Sequence, residues 1–544
     1  MSTEALLQRE FATIHDLIAE HAVQQPHAKA LVQDDRQLGY GELDALMNRV
    51  GASLQRDGLE PRDMIAICAQ SSIEYAVAFL GALRVGVAVA PLAPSSTPEA
   101  LLAMLDDCNA KVLFLDRAVA ALLEPVRARI KAQCIALDHE GAQRPPLEGG
   151  SPTASPAGRE GSVPLPVSWQ SWSQWLAAEG ARPIPVEADP EAPFNVIYSS
   201  GTTGTPKGIV QPNRMRWAHV RRAGDSAYGK DAVTMVSTPL YSNTTLVSFF
   251  PSIALGGCVV LMAKFDALQF LTLAERHRAT VAMLVPVQYQ RIMDLPEFDR
   301  FDLSSFKLKF CTSAPFSAAL KRRVLERWPG GLVEYYGMTE GGGTCVLRAD
   351  KFPDKLHTVG KPVPGHDIRL IDDQGREVPP GEAGEVVGRS PATMMSGYHN
   401  QPDKTSEAEW YDGSGNRFIR TGDIGRFDSD GFLTLLDRKK DMIISGGFNI
   451  FPSDLESVLR QHPDVADVAV VGVPSERWGE TPIGFVVLRA GAGSTGERIS
   501  AWMSERVGKT QRLSALEVVD SLPRSPIGKV LKRELRDSYV ARGA

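Results

Sequence analysis

The chain alternates helix-forming and strand-forming segments, and this alternation constrains its fold more than any other feature of the sequence. Apolar residues recur at helical spacing in FATIHDLIAEHAVQQP (11–26), while VAVAPL (87–92) and VLFLD (112–116) are short apolar runs typical of buried strands. Such alternation predicts α/β layers with mostly parallel sheets. At 544 residues, the chain is long enough for about three or four domain-sized units.

The sequence changes character after Arg417, where short strands and turn signals lead into the charged segment DRKKD (437–441). Beyond it, VADVAVVGV (465–473) and GFVVLRA (484–490) supply enough strand-forming sequence for a small α+β domain with its own core. A solvated turn is the ordinary interpretation of such a charge run. Its position between two foldable parts favours a hinge instead.

One stretch is too rich in Pro, Gly and Ser to form a packed element. It spans residues 140–166, and we expect a flexible surface loop there. Its flanks, CIALD (134–138) and SWSQWLAAEG (171–180), are typical of a strand and a helix. The loop is therefore not expected to separate two domains.

Charge and cysteine usage exclude several function classes. A net charge of -6 provides no basic surface for a nucleic-acid backbone, so no nucleic-acid partner is expected. The six cysteines lack metal-ligand spacing and are expected to be reduced thiols. The N-terminus has no basic segment leading into an apolar one, and residues 75–94 predict a helix and a strand, so we expect a cytoplasmic protein without a membrane span.

The most informative stretch is FNVIYSSGTTGTPKGIV (194–210), in which a strand leads into glycines, hydroxyl side chains and Lys207. Glycines let backbone N–H groups approach an anion, hydroxyls donate further hydrogen bonds, and the lysine adds positive charge. Gly208 follows Lys207 where the P-loop requires Ser or Thr, which disfavours P-loop nucleotidases. The pattern indicates a different phosphate cradle rather than a mobile linker.

The segment YSSGTTGTPKG resembles the signature of the adenylate-forming superfamily, which includes acyl-CoA synthetases, firefly luciferase and nonribosomal peptide adenylation domains. An ordered series of further segments resembles the other motifs of that family: TSAP (312–315), YYGMTE (335–340), RTGD (420–423), DRKKDMI (437–443), SGGFNIFPSDLE (445–456) and PRSPIGKVLKREL (523–535). One match could arise by chance, but an ordered series over nearly the whole chain could not. On these residues the chain is identified as a member of that superfamily.

The resemblance implies a large N-terminal α/β domain of several subdomains, with layered sheets, helices and a small β-rich part, over residues 1–436. It further implies a hinge over residues 437–440 that contains Lys440, and a small mobile α+β lid domain over residues 441–544 that carries the catalytic lysine. Rotation about this hinge would bring a second set of residues to the active site.

The resemblance assigns Lys529 to catalysis, with its charge between the attacking carboxylate and the α-phosphate, together with Thr339 and Glu340. Fixed cations suit this chemistry because the two reactants are anionic. Glu340 is the expected Mg²⁺ ligand, Tyr336 has a ring suited to stacking on a purine, and Asp423 suits the ribose hydroxyls. The implied ATP or AMP site consists of Ser199, Ser200, Gly201, Thr202, Thr203, Gly204, Lys207, Ser313, Ala314, Pro315, Tyr336, Gly337, Met338, Asp423 and Arg438. The implied coenzyme A site consists of Gly446, Gly447 and Phe448.

The acyl pocket departs from the family pattern after Tyr241, because Ser242 stands where many relatives have a His. No acid lies between residues 239 and 250, and a buried substrate ammonium without a partner would be unfavourable, so an amino-acid substrate is not expected. The glycines at 341–343 remove side-chain bulk, which favours an aryl, alicyclic or medium- to long-chain acid. The expected pocket residues are Tyr241, Ser242, Asn243, Val285, Thr312, Gly341 and Gly342.

The implied function is a carboxylate:CoA ligase that uses ATP and Mg²⁺ to form acyl-AMP and then transfers the acyl group to coenzyme A. Two alternatives stay open: an enzyme that loads the phosphopantetheine of a carrier protein, and a catalytically inactive nucleotide-binding relative. The expected partners are small molecules, and a homodimer is one alternative for the assembly.

Overall fold

The computed structural model describes residues 2–137, 169–199, 207–223, 227–445, 448–508, 511–525 and 528–543. Its helices are α1 (Thr3–Leu7), α2 (Ile14–Gln24), α3 (Tyr40–Arg56), α4 (Ile73–Arg84), α5 (Pro98–Asp107), α6 (Arg117–Leu123), α7 (Trp172–Trp175), α8 (Asn213–Ala223), α9 (Asn243–Ala254), α10 (Ala267–Arg276), α11 (Pro286–Met293), α12 (Ala318–Arg327), α13 (Pro402–Glu407), α14 (Pro452–Leu459), α15 (Gly496–Ser504) and α16 (Lys532–Gly543). Its strands are β1 (Lys29–Gln33), β2 (Arg36–Gly39), β3 (Met64–Cys68), β4 (Ala88–Pro91), β5 (Val112–Leu115), β6 (Gln133–Ala136), β7 (Gln170–Ser171), β8 (Pro193–Ser199), β9 (Lys207–Pro212), β10 (Val233–Val236), β11 (Cys258–Leu261), β12 (Val281–Leu284), β13 (Leu308–Cys311), β14 (Gly331–Tyr336), β15 (Cys345–Arg348), β16 (Lys361–Pro362), β17 (Asp367–Ile371), β18 (Gly384–Arg389), β19 (Gly397–Tyr398), β20 (Glu409–Tyr411), β21 (Arg417–Phe427), β22 (Leu433–Arg438), β23 (Ile443–Ser445), β24 (Phe448–Ile450), β25 (Val465–Ser475), β26 (Gly479–Leu488) and β27 (Ala515–Val518).

The chain divides into two compact units. The first unit contains Met1–Val281 and Met395–Pro402, and the second contains Ala282–Met394 and Asp403–Ala544. Both mix helices with several sheets, which confirms the predicted α/β class. The predicted loop at 140–166 lies outside the described residues.

In the first unit, one sheet has the strand order β19-β9-β8-β4-β3-β5-β6-β7. The pairs from β8 to β7 are parallel, whereas β8–β9 and β9–β19 are antiparallel. A second set of strands runs in the order β10-β11-β1-β2. Strands buried on both faces account for the continuous apolar runs in this half of the sequence.

Helix α2 shows how local sequence and packing agree in the first unit. A capping box between Thr13 and Asp16 begins the helix, and its apolar face, including Leu17 and Ile18, is fully buried. The core it joins also contains most of α4, whose residues are nearly all buried. The sequence predictions of α2, β4 and β5 are therefore confirmed.

The second unit contains strands in the order β16-β15-β14-β13-β12 and an antiparallel sheet in the order β17-β18-β21-β20, with β22 paired to β21. Further along the chain, β24-β23-β26-β25 form a sheet to which β27 adds a parallel strand. Two apolar clusters within residues 443–539 bury this sheet against α14, α15 and α16. The C-terminal segment therefore has its own core, as expected, while the exact boundary at 437–440 stays a prediction.

Helix formation after the Pro-rich stretch is more limited than the sequence indicates. The predicted helix at 171–180 is wrong beyond its first turn, because α7 ends at Trp175 and Leu176 is already extended. The rings of Trp172 and Trp175, at the two ends of this short helix, pack on Phe114. Among the described residues, no helix has the length and apolar character needed to cross a membrane.

Candidate active site

Strands β8 and β9 form a hairpin that brackets the predicted phosphate cradle in the first unit. Ser199 pairs with Lys207 in the antiparallel register, so the chain reverses direction between them. At Gly208 a Cβ atom would lie 2.8 Å from Val196 Cγ1, which explains why glycine follows the lysine. The side chain of Ser199 and the cradle residues lie outside the described residues and stay predictions: Ser200, Gly201, Thr202, Thr203 and Gly204.

Lys207 has an aromatic neighbour that the sequence analysis missed. Its Nζ lies 5.0 Å from the ring centroid of Tyr398, which β19 places beside β9 through the pair Tyr398–Ile209. A cation over an aromatic face is held by the ring quadrupole, so Tyr398 restrains the side chain of Lys207. The two residues are far apart in sequence, and no motif in the sequence indicated this contact.

The predicted entry to the acyl pocket lies at the start of α9, also in the first unit. Tyr241 is half-buried, and burial raises its pKa to about 12, so the ring carries a neutral hydroxyl. Ser242 is the N-cap residue of α9, and Asn243 Oδ1 accepts a hydrogen bond of 2.9 Å from Arg216. The amide oxygen of Asn243 is therefore engaged within the protein. Whether these residues contact an acyl group stays a prediction.

In the second unit, three predicted nucleotide-binding residues contact one another. Strands β21 and β22 pair Asp423 with Arg438, and Arg438 Nε lies 2.9 Å from Asp423 Oδ1. From the end of β14, the Tyr336 hydroxyl donates to Asp423 Oδ2 at 2.8 Å. Burial, and then the charge of Asp423, raise the pKa of Tyr336, which keeps the phenol protonated as a donor. The arrangement presents an acid, an arginine and an aromatic ring together.

The segment after β14 turns sharply at the predicted Mg²⁺ ligand. Gly341 N–H donates to Met338 O at 3.0 Å, and Gly341 has a φ of +76° that favours glycine. Gly337, Met338, Thr339 and Glu340 precede or form this turn. A Cβ at Gly342 would lie 2.7 Å from Gly388 O. Gly342 therefore allows two backbones to meet, and its role in the acyl pocket stays a prediction.

The TSAP segment follows β13 and contains a backbone outlier. Ser313 has a φ of +81°, which is strained for a residue with a side chain. Thr312 and Ala314 are half-buried, Pro315 is exposed, and Val285 is 2% exposed as the N-cap residue of α11. Strain of this kind persists where the surrounding structure holds it, and it often marks a functional site.

Lys529 lies at the end of a tight turn in the second unit. Ser525 N–H donates to Lys529 O at 2.8 Å, Gly528 N–H donates to Ser525 O at 2.8 Å, and Arg524 donates to Gly528 O at 2.6 Å. Gly528 has a φ of +80°, and a Cβ there would lie 2.4 Å from Val287 Cγ1. The turn is therefore seated directly on α11.

The charges around Lys529 join it to the nucleotide residues. Reduced solvation, followed by repulsion from Arg438 and Lys440, lowers the pKa of Lys529 to about 8, while Asp441 and Asp423 oppose this effect. Lys529 as a whole residue is nevertheless exposed. We call Tyr336, Asp423, Arg438, Lys440 and Lys529 the nucleotide cluster.

The predicted hinge covers the end of β22 and the start of the segment that leads to β23, and two of its side chains contact other parts of the second unit. Asp437 Oδ2 accepts from Ser453 N–H at 2.8 Å, and Lys439 Nζ lies 3.2 Å from Glu385 Oε2. Lys440 is exposed, although desolvation and nearby Arg438 lower its pKa. The predicted coenzyme A residues Gly446 and Gly447 lie outside the described residues, and only the backbone of Phe448 is described.

A Mg²⁺ ion would find a modest set of protein ligands here. Within the described ranges, no group of three or more His, Cys, Asp or Glu residues is arranged for a metal ion. Magnesium at phosphate sites typically takes only one or two carboxylates, with phosphates and waters completing the shell. The half-buried Glu340 therefore fits as a single carboxylate ligand.

The six cysteines are all free thiols, as predicted. Burial raises the pKa of Cys345 to about 12 and that of Cys311 well above its usual value. Thiols of such high pKa are poor nucleophiles, which agrees with a reaction that needs no covalent protein intermediate.

Comparisons with known proteins agree with these observations. A family described as AMP-binding enzyme matches residues 18–399, and the AMP-binding enzyme C-terminal domain matches residues 454–529. The chain is 30% identical over 542 residues to a fatty acid–[acyl-carrier-protein] ligase of Streptomyces coeruleorubidus, covering 97% of each chain. It is 31% identical over 541 residues to an indoleacetate–CoA ligase of Aromatoleum aromaticum, covering 97% of this chain and 98% of the relative.

Among solved structures, the chain is similar to o-succinylbenzoate CoA synthetase of Bacillus subtilis in complex with its acyl-adenylate intermediate. The TM-score is 0.79 at 25% identity, covering 96% of this chain and 98% of the other. The fold is thus shared with proteins of similar length.

Proposed function

The chain belongs to the AMP-binding enzyme family, and from this premise we propose that it is an acid–thiol ligase that activates a carboxylic acid with ATP and transfers the acyl group to coenzyme A. The first step forms acyl-AMP and releases pyrophosphate. The second forms the acyl-CoA thioester and releases AMP. The nucleotide cluster carries this proposal, because it places an acid, an arginine and two lysines of the predicted motifs together.

In the first step, a carboxylate oxygen attacks the α-phosphorus of ATP, and the bond to the departing pyrophosphate breaks. Both reactants are anionic, so a fixed cation lowers the barrier by stabilising charge on the phosphate oxygens. Lys529 supplies this cation, and its lowered pKa of about 8 still leaves most molecules protonated at neutral pH. Asp423 holds the ribose hydroxyls and Tyr336 stacks on the purine.

Lys207, Thr339 and Glu340 complete the proposed phosphate environment. Thr339 donates to the α-phosphate, Lys207 balances the charge of the phosphate chain, and Glu340 holds Mg²⁺. When bound, the metal ion neutralises phosphate charge and orients the leaving group. The restraint of Lys207 by Tyr398 reduces the ordering that nucleotide binding requires.

The second step needs access for a thiol to the acyl carbonyl. The sulfur attacks that carbon, AMP leaves with the bonding electron pair, and the thiol proton passes to solvent. The Lys529 turn lies close to Val287 of α11, and this supports the proposal that the C-terminal domain moves before a thiol approaches from that side. We place the hinge at 437–440 around Lys440, the lid domain at 441–544 and the thiol passage at Gly446, Gly447 and Phe448.

The substrate is proposed to be an aryl, alicyclic or medium- to long-chain acid. The indoleacetate ligase among the relatives supports an aryl acid, and the fatty acid ligase supports a chain. The absence of an acid between residues 239 and 250 disfavours an amino acid. The reactants are small molecules, and a cytoplasmic location is proposed for the protein.

A second candidate function is loading of a carrier protein. It is favoured by one observation, the full-length similarity to an enzyme named as an acyl-carrier-protein ligase. The two functions share the first step and differ in the thiol that accepts the acyl group.

The test measures pyrophosphate release from ATP and Mg²⁺ with fatty, aryl, alicyclic and amino acids, each with and without coenzyme A, and identifies products by mass. We expect one class of non-amino acid to give a coenzyme A thioester. Acyl-AMP that accumulates despite coenzyme A, and is consumed by a phosphopantetheinylated carrier protein, would favour the second candidate. A folded chain without turnover would contradict both candidate functions and would favour the alternative of a catalytically inactive nucleotide-binding relative.

A further inference from the structure

Arg216 on α8 is a buried cation that the nucleotide chemistry does not use. It is 1% exposed, and its guanidinium lies 5.8 Å from the ring centroid of Phe194 and 5.7 Å from that of Phe250. Burial lowers its pKa to about 9. A charge held in such surroundings is costly unless it is well hydrogen-bonded.

The guanidinium donates to three amide oxygens. Nε donates to Asn195 Oδ1 at 3.2 Å, while Nη2 donates to Gln211 Oε1 and, at 2.9 Å, to Asn243 Oδ1. Gln211 Nε2 also donates to Asn243 Oδ1 at 3.4 Å. We call these four residues the Arg216 junction.

The three acceptors lie on three different elements of the first unit. Asn195 on β8 and Gln211 on β9 are directly paired residues in the hairpin that brackets the phosphate cradle. Asn243 is the first residue of α9 and directly follows Tyr241 and Ser242, the predicted entry to the acyl pocket. One rigid, planar guanidinium thus joins the phosphate hairpin to the acyl-pocket segment.

Resting on the proposed function, we infer that Arg216 is a positioning residue for adenylation: it fixes the start of α9 relative to the β8–β9 hairpin, so that the acid's carboxylate is held in line with the α-phosphate. Its charge-assisted hydrogen bonds are stronger than those between neutral groups, so they hold the start of α9 firmly against the β8–β9 hairpin. Small displacements of reacting groups can reduce the rate about a hundredfold.

The first unit offers a matched control in Arg84. Its side chain is 10% exposed and donates to Asp44 Oδ1 at 2.6 Å and to Asn48 Oδ1 at 2.8 Å, both on α3. It is therefore a similarly buried arginine, but its side-chain partners lie on a single helix rather than on the hairpin and α9.

The experiment compares the wild-type chain with Arg216→Met, Arg216→Lys and Arg84→Met in acid-dependent pyrophosphate release, and measures melting temperature for each. We expect Arg216→Met to lower kcat/KM for the acid by about tenfold to a hundredfold, with KM for the acid rising more than KM for ATP. Arg216→Lys keeps the positive charge but loses the planar guanidinium, so its kcat/KM for the acid should lie between those of the wild type and Arg216→Met. Arg84→Met should lower the melting temperature without changing the ratio of the two KM values.

A double-mutant cycle between Arg216→Lys and Asn243→Ala protects the test if Arg216→Met does not fold. Effects on KM for the acid that are clearly non-additive would support the inference. The inference would be overturned if folded Arg216 variants had the kinetics of Arg84→Met, or if the effects of the two substitutions were simply additive. In either case, turnover by the wild-type chain would leave the proposed function intact. A folded wild-type chain without turnover would overturn both.

Discussion

The Arg216 junction and the nucleotide cluster use arginine in opposite ways. Arg216 is 1% exposed and donates to neutral amide oxygens, whereas the Arg438 side chain is 41% exposed and pairs with the carboxylate of Asp423. A buried cation that donates to oxygens on three elements holds those elements in place. A more exposed arginine in a cluster with lysines creates a positive electrostatic field that attracts an anionic ligand. The difference indicates which charges serve the scaffold and which serve the reaction.

The strongest test of this comparison removes the charge of Lys529. Lys529→Ala should reduce carboxylate-dependent pyrophosphate release by about a thousandfold, because Lys529 supplies the positive charge at the α-phosphate in the proposed mechanism. Thioester formation from preformed acyl-AMP should change far less, and the melting temperature should stay close to that of the wild type. Arg542→Ala, a change at an exposed residue of α16, serves as the control. Equal loss of both half-reactions would contradict the assigned role.

The next effect concerns Asp423, which accepts from Tyr336 and pairs with Arg438. Asp423→Asn removes the charge but keeps the size of the side chain. Hydrogen bonds to charged groups contribute about 1.5–3 kcal/mol, so KM for ATP should rise about tenfold to a hundredfold, with KM for the acid nearly unchanged. Asp430→Asn changes an exposed acid that pairs with Lys355 and should leave both values unaltered. An equal rise in KM for the acid would contradict a specific role of Asp423 in nucleotide binding.

A smaller effect follows from the pKa of Lys529, which lies near 8 rather than at its usual 10.5. The protonated form is the active one, so adenylation should fall as pH rises through about 8, approaching a tenfold loss for each further pH unit. Lys529→Arg should lose this alkaline limb, because arginine stays protonated over the whole range. A pH profile of single-turnover acyl-AMP formation tests this; an unchanged limb in the arginine variant would assign the titration to another group.

The smallest expected effect is at Tyr398, which extends the comparison to Lys207. Tyr398→Leu removes the aromatic face 5.0 Å from the lysine. Cation–π contacts at accessible sites contribute about 0.5–1 kcal/mol, so KM for ATP should rise about twofold to fivefold. Tyr398→Phe keeps the ring and should restore the wild-type value. A similar rise in the phenylalanine variant would show that the hydroxyl, not the ring, matters.

Local patterns in the sequence predicted much of the fold. Helix α2 and strands β4 and β5 follow from apolar spacing within a few residues, and family resemblance placed Asp423, Arg438 and Lys529 in one site. Contacts across long sequence separations were not predictable in this way. Arg216 looked like one charge on a helix, because its partners Asn195 and Asn243 come together only in the folded chain. Lys532 likewise pairs with the distant residue Glu456, at 2.9 Å.

The close approach of Gly342 and Gly343 to their neighbours limits how this enzyme can be redesigned. A Cβ at Gly343 would lie 1.9 Å from Ile368 Cδ1, and one at Gly342 would lie 2.7 Å from Gly388 O. A mutant library intended to change substrate range would give few folded clones at Gly342, where the neighbour is backbone and φ is +94°, whereas Ile368 Cδ1 beside Gly343 is the end of a side chain that can rotate. Diversity is better directed to Tyr241 and Val285, which already carry side chains.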